Sequence, residues 1–185
     1  MSRIDETRPF IPVSIAVLTV SDTRLIEEDK SGNTLILRIE KAGHKLAARA
    51  ICRDETGDIA KQVTEWSKRE DIDVVITTGG TGFTGRDVTP EALEPLFEKR
   101  MDGFSVLFHQ LSAEKIGTST IQSRATAGLI NQTFVFVLPG SPGACKDAWD
   151  GILNRQLDYR HMPCNFVEIM PRLDEHLKRG GNKSA

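Results

Sequence analysis

Apolar residues along the chain follow two rhythms. Residues 13–20 (VSIAVLTV), 73–78 (DVVITT) and 133–138 (TFVFVL) are short continuous runs rich in β-branched side chains. Bounded by polar or glycine-bearing turns, such runs predict strands covered on both faces. Residues 46–52 predict a further strand that ends at Arg53-Asp54-Glu55. Between these runs the apolar spacing becomes helical. Leu35, Ile36 and Ile39 form one stripe, which Ser31 can cap and Gly43 can end. Ile59, Val63 and Trp66 recur at i, i+4, i+7 within a predicted helix over 56–69. Thr89-Pro90-Glu91 supplies a hydroxyl cap, an early proline and a first-turn acid, and Pro95 predicts a break. Residues 104–111 read as a short helix, and the small-residue stretch 119–129 as another. Ser141-Pro142 opens the last long helix, to about Leu157, and residues 163–166 read as irregular.

Strands alternating with helices make βαβ units joined by right-handed crossovers. The predicted class is therefore α/β: a doubly wound, mostly parallel sheet in a three-layer sandwich. The predicted organisation is a flexible N-terminal segment (1–11), a single α/β domain (12–170) and a C-terminal tail (171–185). The polar stretch 178–185 reads as a frayed end.

Composition narrows the class without naming a function. The 185 residues are 39% apolar and 27% charged, an ordinary globular mix. The formal net charge of −2 offers no general basic field, so no nucleic-acid partner is expected. Cys52, Cys145 and Cys164 lie far apart with no Cys-x-x-Cys pair, which argues against a disulfide framework and a zinc site. The first twelve residues have no apolar signal core, and no run approaches a membrane span, so a cytoplasmic protein with no membrane partner is expected.

In a doubly wound sheet, ligands bind beyond the carboxyl ends of the strands. Four segments end there: Ser21-Asp22-Thr23-Arg24, Arg53-Asp54-Glu55, Thr78-Gly79-Gly80-Thr81-Gly82 and Pro139-Gly140-Ser141-Pro142-Gly143. The three glycines after a buried strand let backbone amides reach a ligand with no Cβ in the way, which suits phosphate oxygens. Residues 80–85 match G-x-G-x-x-G, but Arg86-Asp87-Val88 intervene before the next helix and no acid ends a strand about twenty residues on. A nicotinamide site is therefore disfavoured. Pro139–Gly143 imitates a nucleophile elbow but lacks the glycine two before the serine, so Ser141 reads as a helix cap. Asp87, with Asp54 as its partner, suggests Mg²⁺, which takes a few carboxylates plus substrate oxygens, and Asp22 in the loop after the first strand is a further candidate. Each of these acids could instead merely cap a helix or turn a loop. His44, His109, His161 and His176 share no metal-ligand spacing.

Thr78-Gly79-Gly80-Thr81-Gly82, followed by Arg86-Asp87-Val88-Thr89-Pro90-Glu91-Ala92, resembles the MoaB/MogA family of molybdenum cofactor biosynthesis. The likeness extends to Thr19-Val20-Ser21-Asp22, to Leu138-Pro139-Gly140-Ser141-Pro142, and over roughly residues 12–166. Residues 117–120, 122–125 and 160–166 look like the MoaB branch. The resemblance implies a molybdopterin-binding fold assembled as a homotrimer or a dimer of trimers. It implies molybdopterin adenylyltransferase activity: AMP passes from Mg-ATP to the terminal phosphate of molybdopterin, and pyrophosphate leaves. Asp87 and Asp54 would be the catalytic acids and the Mg²⁺ ligands. Ser21, Asp22, Thr78, Gly79, Gly80, Thr81, Gly82, Thr89, Glu91, Pro139, Gly140 and Ser141 would line the substrate pocket. A non-catalytic molybdopterin- or nucleotide-binding protein of the same pathway is the alternative.

Overall fold

The computed structural model describes residues 3–175; the predicted frayed end at 178–185 and His176 lie outside them. A six-stranded sheet runs through the centre. It contains β2 (Ser14–Val20), β3 (Lys45–Cys52), β4 (Val74–Thr78), β5 (Lys99–Arg100), β6 (Thr126–Ile130) and β7 (Thr133–Leu138). The spatial order is β3-β2-β4-β7-β6-β5. The pairs β2–β3, β2–β4 and β4–β7 are parallel, whereas β6 is antiparallel to both neighbours.

The continuous apolar runs alternate between two cores. Ile15 and Val17, Val74 and Ile76, and Phe134, Phe136 and Leu138 face one side. There they meet α1 (Lys30–Lys41) through Leu35 and Ile39, and α4 (Asp102–Ile116) through Phe104 and Phe108. Cys145 and Ala148 of α5 (Pro142–Ala148) and the following Trp149 complete that core. Ala16, Leu18 and Val20, Val75, Val135 and Val137 face the other side. They pack against α2 (Thr56–Trp66) and α3 (Thr89–Leu93). A sheet covered by helices on both faces is a three-layer sandwich, and period-two alternation explains why the strands need apolar residues at nearly every position.

Several local expectations are corrected. The stretch 119–129 is not a helix: a 3₁₀ turn (Gly117–Gln122) gives way to β6, which pairs with β7 as a hairpin. Asn131 and Gln132 make the two-residue turn with φ of 50° and 71°, the positive values that such tight hairpins require. The helix expected over 104–111 runs instead from Asp102 to Ile116. Asp29, not Ser31, caps α1, accepting from the Gly32 amide at 2.8 Å. Thr89 does not cap α3 but lies inside it. The chain breaks at Pro95 as expected, passing into a 3₁₀ turn (Glu94–Leu96). Ser141 caps α5, which continues through a π-helical turn (Trp149–Leu153) into α6 (Asn154–Gln156).

Part of the N-terminal stretch read as loose is held in place. β1 (Arg3–Ile4) pairs antiparallel with β8 (His161–Met162), ahead of α7 (Phe166–Ile169). Arg8 stacks 4.1 Å from the Tyr159 ring centroid and pairs with Glu168 at 2.9 Å.

Candidate functional site at the carboxyl edge

From β2 the chain steps outward to β3, then returns to place β4 on the other side of β2. Strand order therefore reverses between β2 and β4, and a crevice opens beyond their carboxyl ends. The glycine loop lies there. A Cβ on Gly79, whose φ is +110°, would stand 2.2 Å from the Val20 carbonyl oxygen. Gly140 approaches from the other side, where a Cβ would lie a tight 3.1 Å from Gly79 Cα. The Gly79 amide donates to Leu138 at 3.1 Å, and the Thr78 hydroxyl to the Pro139 carbonyl at 2.9 Å. Two strand-end loops thus meet at this seam, and at Gly79 it leaves no room for a side chain.

Both predicted catalytic acids lie over this loop. Asp54 Oδ1 sits 2.9 Å from where a Cβ on Gly80 would be, and Asp87 Oδ2 sits 2.8 Å from the corresponding point on Gly82. Asp87 accepts from the Thr84 amide at 2.9 Å and the Thr84 hydroxyl at 2.5 Å. Partial burial pushes the Asp87 carboxyl upward. The Thr84 bonds, the Gly82 amide and the Arg124 charge outweigh that and hold it below the usual carboxylate range. Asp54 differs: burial, then the charges of Asp22 and Asp87, push it above the usual range despite Arg86. The Asp54 amide donates to Asp22 Oδ1 at 3.2 Å, which ties the loops after β2 and β3 together.

Arg86 answers part of this negative charge. It forks onto Asp22 with two bonds of 3.0 Å and reaches Glu55 at 3.0 Å. Among the described residues, no group of three or more His, Cys, Asp and Glu is placed to hold a metal ion; Asp54 and Asp87 each stand against the loop, at Gly80 and at Gly82.

The other predicted residues take distinct places. Ser21 accepts from the Arg24 amide at 3.2 Å and lines a cavity of about 450 Å³ with Arg53, Asp58 and Lys61. Gly80 and Thr81 continue the loop, Thr81 with its side chain buried. Thr89 is fully buried, and its hydroxyl donates to the Gly79 carbonyl at 2.8 Å, propping the loop from behind. Glu91 turns away to the Arg124 guanidinium, whose hydrogen bond holds its carboxyl below the ordinary value. Ser141 has its hydroxyl oxygen engaged by the Ala144 amide at 3.1 Å.

Two organising residues are not visible in the strand-end segments. Arg124, just before β6, donates to the carbonyls of Gly82 and Asp87 at 2.9 Å each and to that of Thr81 at 3.3 Å. It gathers both limbs of the loop and lies 5.3 Å from the centroid of the Phe83 ring. Asp29, wholly buried, accepts from Thr19 at 2.7 Å and Arg49 at 3.2 Å as well as capping α1. It fixes α1 against the end of β2.

Comparison with known proteins identifies the family. Residues 16–159 match the family model "Probable molybdopterin binding domain". Molybdenum cofactor biosynthesis protein B of Escherichia coli K12 is 49% identical over 157 residues, covering 85% of this chain and 92% of that protein. A crystal structure of a molybdenum cofactor biosynthesis protein B superposes with a TM-score of 0.82 at 37% identity, covering 91% of this chain and 99% of the other. The tungsten cofactor synthesizing protein MoaB of Pyrococcus furiosus gives a TM-score of 0.69 at 37% identity, covering 78% and 92%. With its glycine loop at the sheet's switch point and two acids over it, the chain belongs to the MoaB/MogA molybdopterin-binding family.

Proposed function

We propose that this protein adenylylates molybdopterin, transferring AMP from Mg-ATP to the terminal phosphate and releasing pyrophosphate. A role in molybdenum cofactor biosynthesis follows from the family. The observation that carries the finer reading is the placement of Asp54 and Asp87 over alternate residues of the glycine loop. Backbone amides favour phosphate oxygens, and two carboxylates beside them favour a divalent cation.

The reaction needs little proton chemistry. The attacking oxygen belongs to a phosphate that is already anionic at neutral pH. It forms a bond to the α-phosphorus of ATP, the bond to the α–β bridging oxygen breaks, and pyrophosphate leaves with the electron pair. The barrier is the meeting of anions, which positioning and charge neutralisation lower. The loop amides would hold phosphate oxygens, and Arg86 stands beside Asp22 at the rim to offset charge.

Asp54 and Asp87 would hold Mg²⁺, which when bound neutralises charge on the departing pyrophosphate. The residues fit such an ion. Burial, and then the charges of Asp22 and Asp87, work against the ionised form of Asp54, and a bound cation would favour it. Mg²⁺ carried by a nucleotide asks for only one or two carboxylates, because phosphates and water complete its shell.

The test is turnover of purified protein with molybdopterin and Mg-ATP, following the AMP adduct and pyrophosphate. Asp87→Asn should lower the rate about a hundredfold, roughly 3 kcal/mol of transition-state stabilisation, with the fold intact. An unchanged rate removes Asp87 from the chemistry. Wild-type protein that binds molybdopterin but yields no adduct is a binding protein and not a transferase.

A further inference from the structure

A second cavity, of about 530 Å³, lies away from the carboxyl edge. It opens where β2 and β3 begin, and Arg3, Phe10, His44, Asn154, Arg155, Asp158, Arg160 and His161 are among the residues around it. The β1–β8 pairing builds one wall, setting Ile4 opposite His161. The Asp5 amide closes that corner by donating to the Arg160 carbonyl at 2.8 Å.

The cavity is rich in donors and poor in acceptors. Its one carboxylate, Asp158, is spent on Arg160, which grips it through Nε at 2.9 Å and Nη2 at 2.8 Å. Arg3 and Arg155 are exposed at the rim and make no side-chain hydrogen bond or ion pair with any described residue. His161 is only 6% exposed, yet its ring makes no hydrogen bond to a described residue. His44, also 6% exposed, accepts from the Val13 amide through Nδ1 at 3.1 Å. Its neutral ring therefore carries the proton on Nε2, for which no described residue is an acceptor. The nearby acids do not fill the role: Asp5 is engaged by Thr7, and Glu6 is exposed and acts on Arg160 only at a distance.

Donors that face a cavity without a protein acceptor are held by water there, and an anion that replaces that water with its own oxygens keeps their hydrogen bonds. Two imidazoles and two exposed guanidiniums that lack an ion pair to a described residue, set around one cavity, favour a ligand that supplies several acceptors and negative charge. We propose that this cavity is a second binding site, for a phosphate-bearing small molecule, separate from the carboxyl-edge site. Phosphate offers acceptors in all directions and suits arginine forks. The volume exceeds that of phosphate alone, and Phe10 gives it an apolar wall.

The test uses the full chain and two probes, inorganic phosphate and phenyl phosphate, at constant ionic strength made up with chloride. The histidine ring signals of His44 and His161 are followed by NMR, with His109, held between the Ser105 and Ser123 carbonyls, as an internal control. The expected result is a saturable shift of His44 and His161 but not of His109. Arg155→Ala, a change at an exposed position, should weaken binding about tenfold with the spectrum otherwise unchanged. Tighter binding of phenyl phosphate assigns the site to a phosphate ester, and equal binding to free phosphate; either supports it. Shifts that chloride reproduces overturn the proposal. So does binding that Arg155→Ala leaves alone and Gly80→Ala at the carboxyl edge abolishes.

Discussion

Asp54 and Asp87 are chemically alike and stand over the same loop, yet their surroundings push them in opposite directions. Thr84, Gly82 and Arg124 stabilise the Asp87 charge, while burial and two neighbouring acids work against that of Asp54. The sign of each effect on stability follows by linkage. Asp87, held low, adds stability that is present above its unfolded value and lost as pH falls through its folded one. Asp54, held high, costs stability at neutral pH, and that cost is relieved as pH falls through its raised folded value. Asp54→Asn removes the repelled charge and keeps the shape. It is expected to raise Tm at pH 7 by about 2 °C, with the gain fading in acid, while adenylyl transfer drops. Thermal unfolding of both proteins at pH 7 and near pH 4 checks this. A variant less stable at pH 7 would mean that Asp54 is held by attraction and not disfavoured by burial and its neighbouring acids. Both acids were legible in the sequence, Asp54 because it directly follows β3 and Asp87 because it closely follows the glycine loop. Arg124 was not: it stands 37 residues from the Asp87 carbonyl it binds, and its role exists only once β6 folds beside the loop.

At the scale of elements, the strands were the most legible feature, since a buried parallel strand needs an apolar side chain at almost every position. Strand β6 was the least, although its hairpin partner β7 was read as a strand. Thr126, Ala127 and Gly128 are small, and Gly128 has to be: a Cβ there would fall 2.3 Å from the Phe97 ring. A strand built from small residues carries little periodic signal, so tertiary packing and not pattern defines it. The same reasoning separates the glycines of the functional loop. Gly79 combines a positive φ with a backbone oxygen 2.2 Å from any added Cβ, whereas a Cβ on Gly85 meets nothing within 4 Å. Gly79→Ala should cost several kcal/mol, because the Val20 carbonyl is main chain and cannot swing aside, or should leave the protein insoluble. Gly85→Ala should stay within roughly 0.5 kcal/mol of wild type. Urea titration of the pair decides it; equal stabilities would mean that the seam between the β2 and β4 ends is soft.

For the whole molecule, the sandwich explains where binding surfaces can form. Helices cover both faces of the sheet, so backbone and polar side chains converge at its two ends. The glycine loop occupies one and the arginine–histidine cavity the other. Among the described residues no helix is long and apolar enough to cross a membrane. Yet α4 and the 3₁₀ turn after it leave Val106 59%, Leu107 42%, Ile116 55% and Ile121 71% exposed. Single exposed apolar side chains are ordinary, but four in one helix–turn unit favour a protein surface as partner. The assembly expected from the family resemblance, a homotrimer or two paired trimers, supplies such a surface. Sedimentation equilibrium should then give three or six times the chain mass of 20.5 kDa. Ile121→Glu combined with Val106→Glu places charge where subunits would meet, and neither residue lies in a core. The double variant should therefore sediment as a folded monomer with an unchanged far-ultraviolet spectrum. A wild-type monomer would remove the assembly, and a double variant that still forms trimers would move the interface off α4.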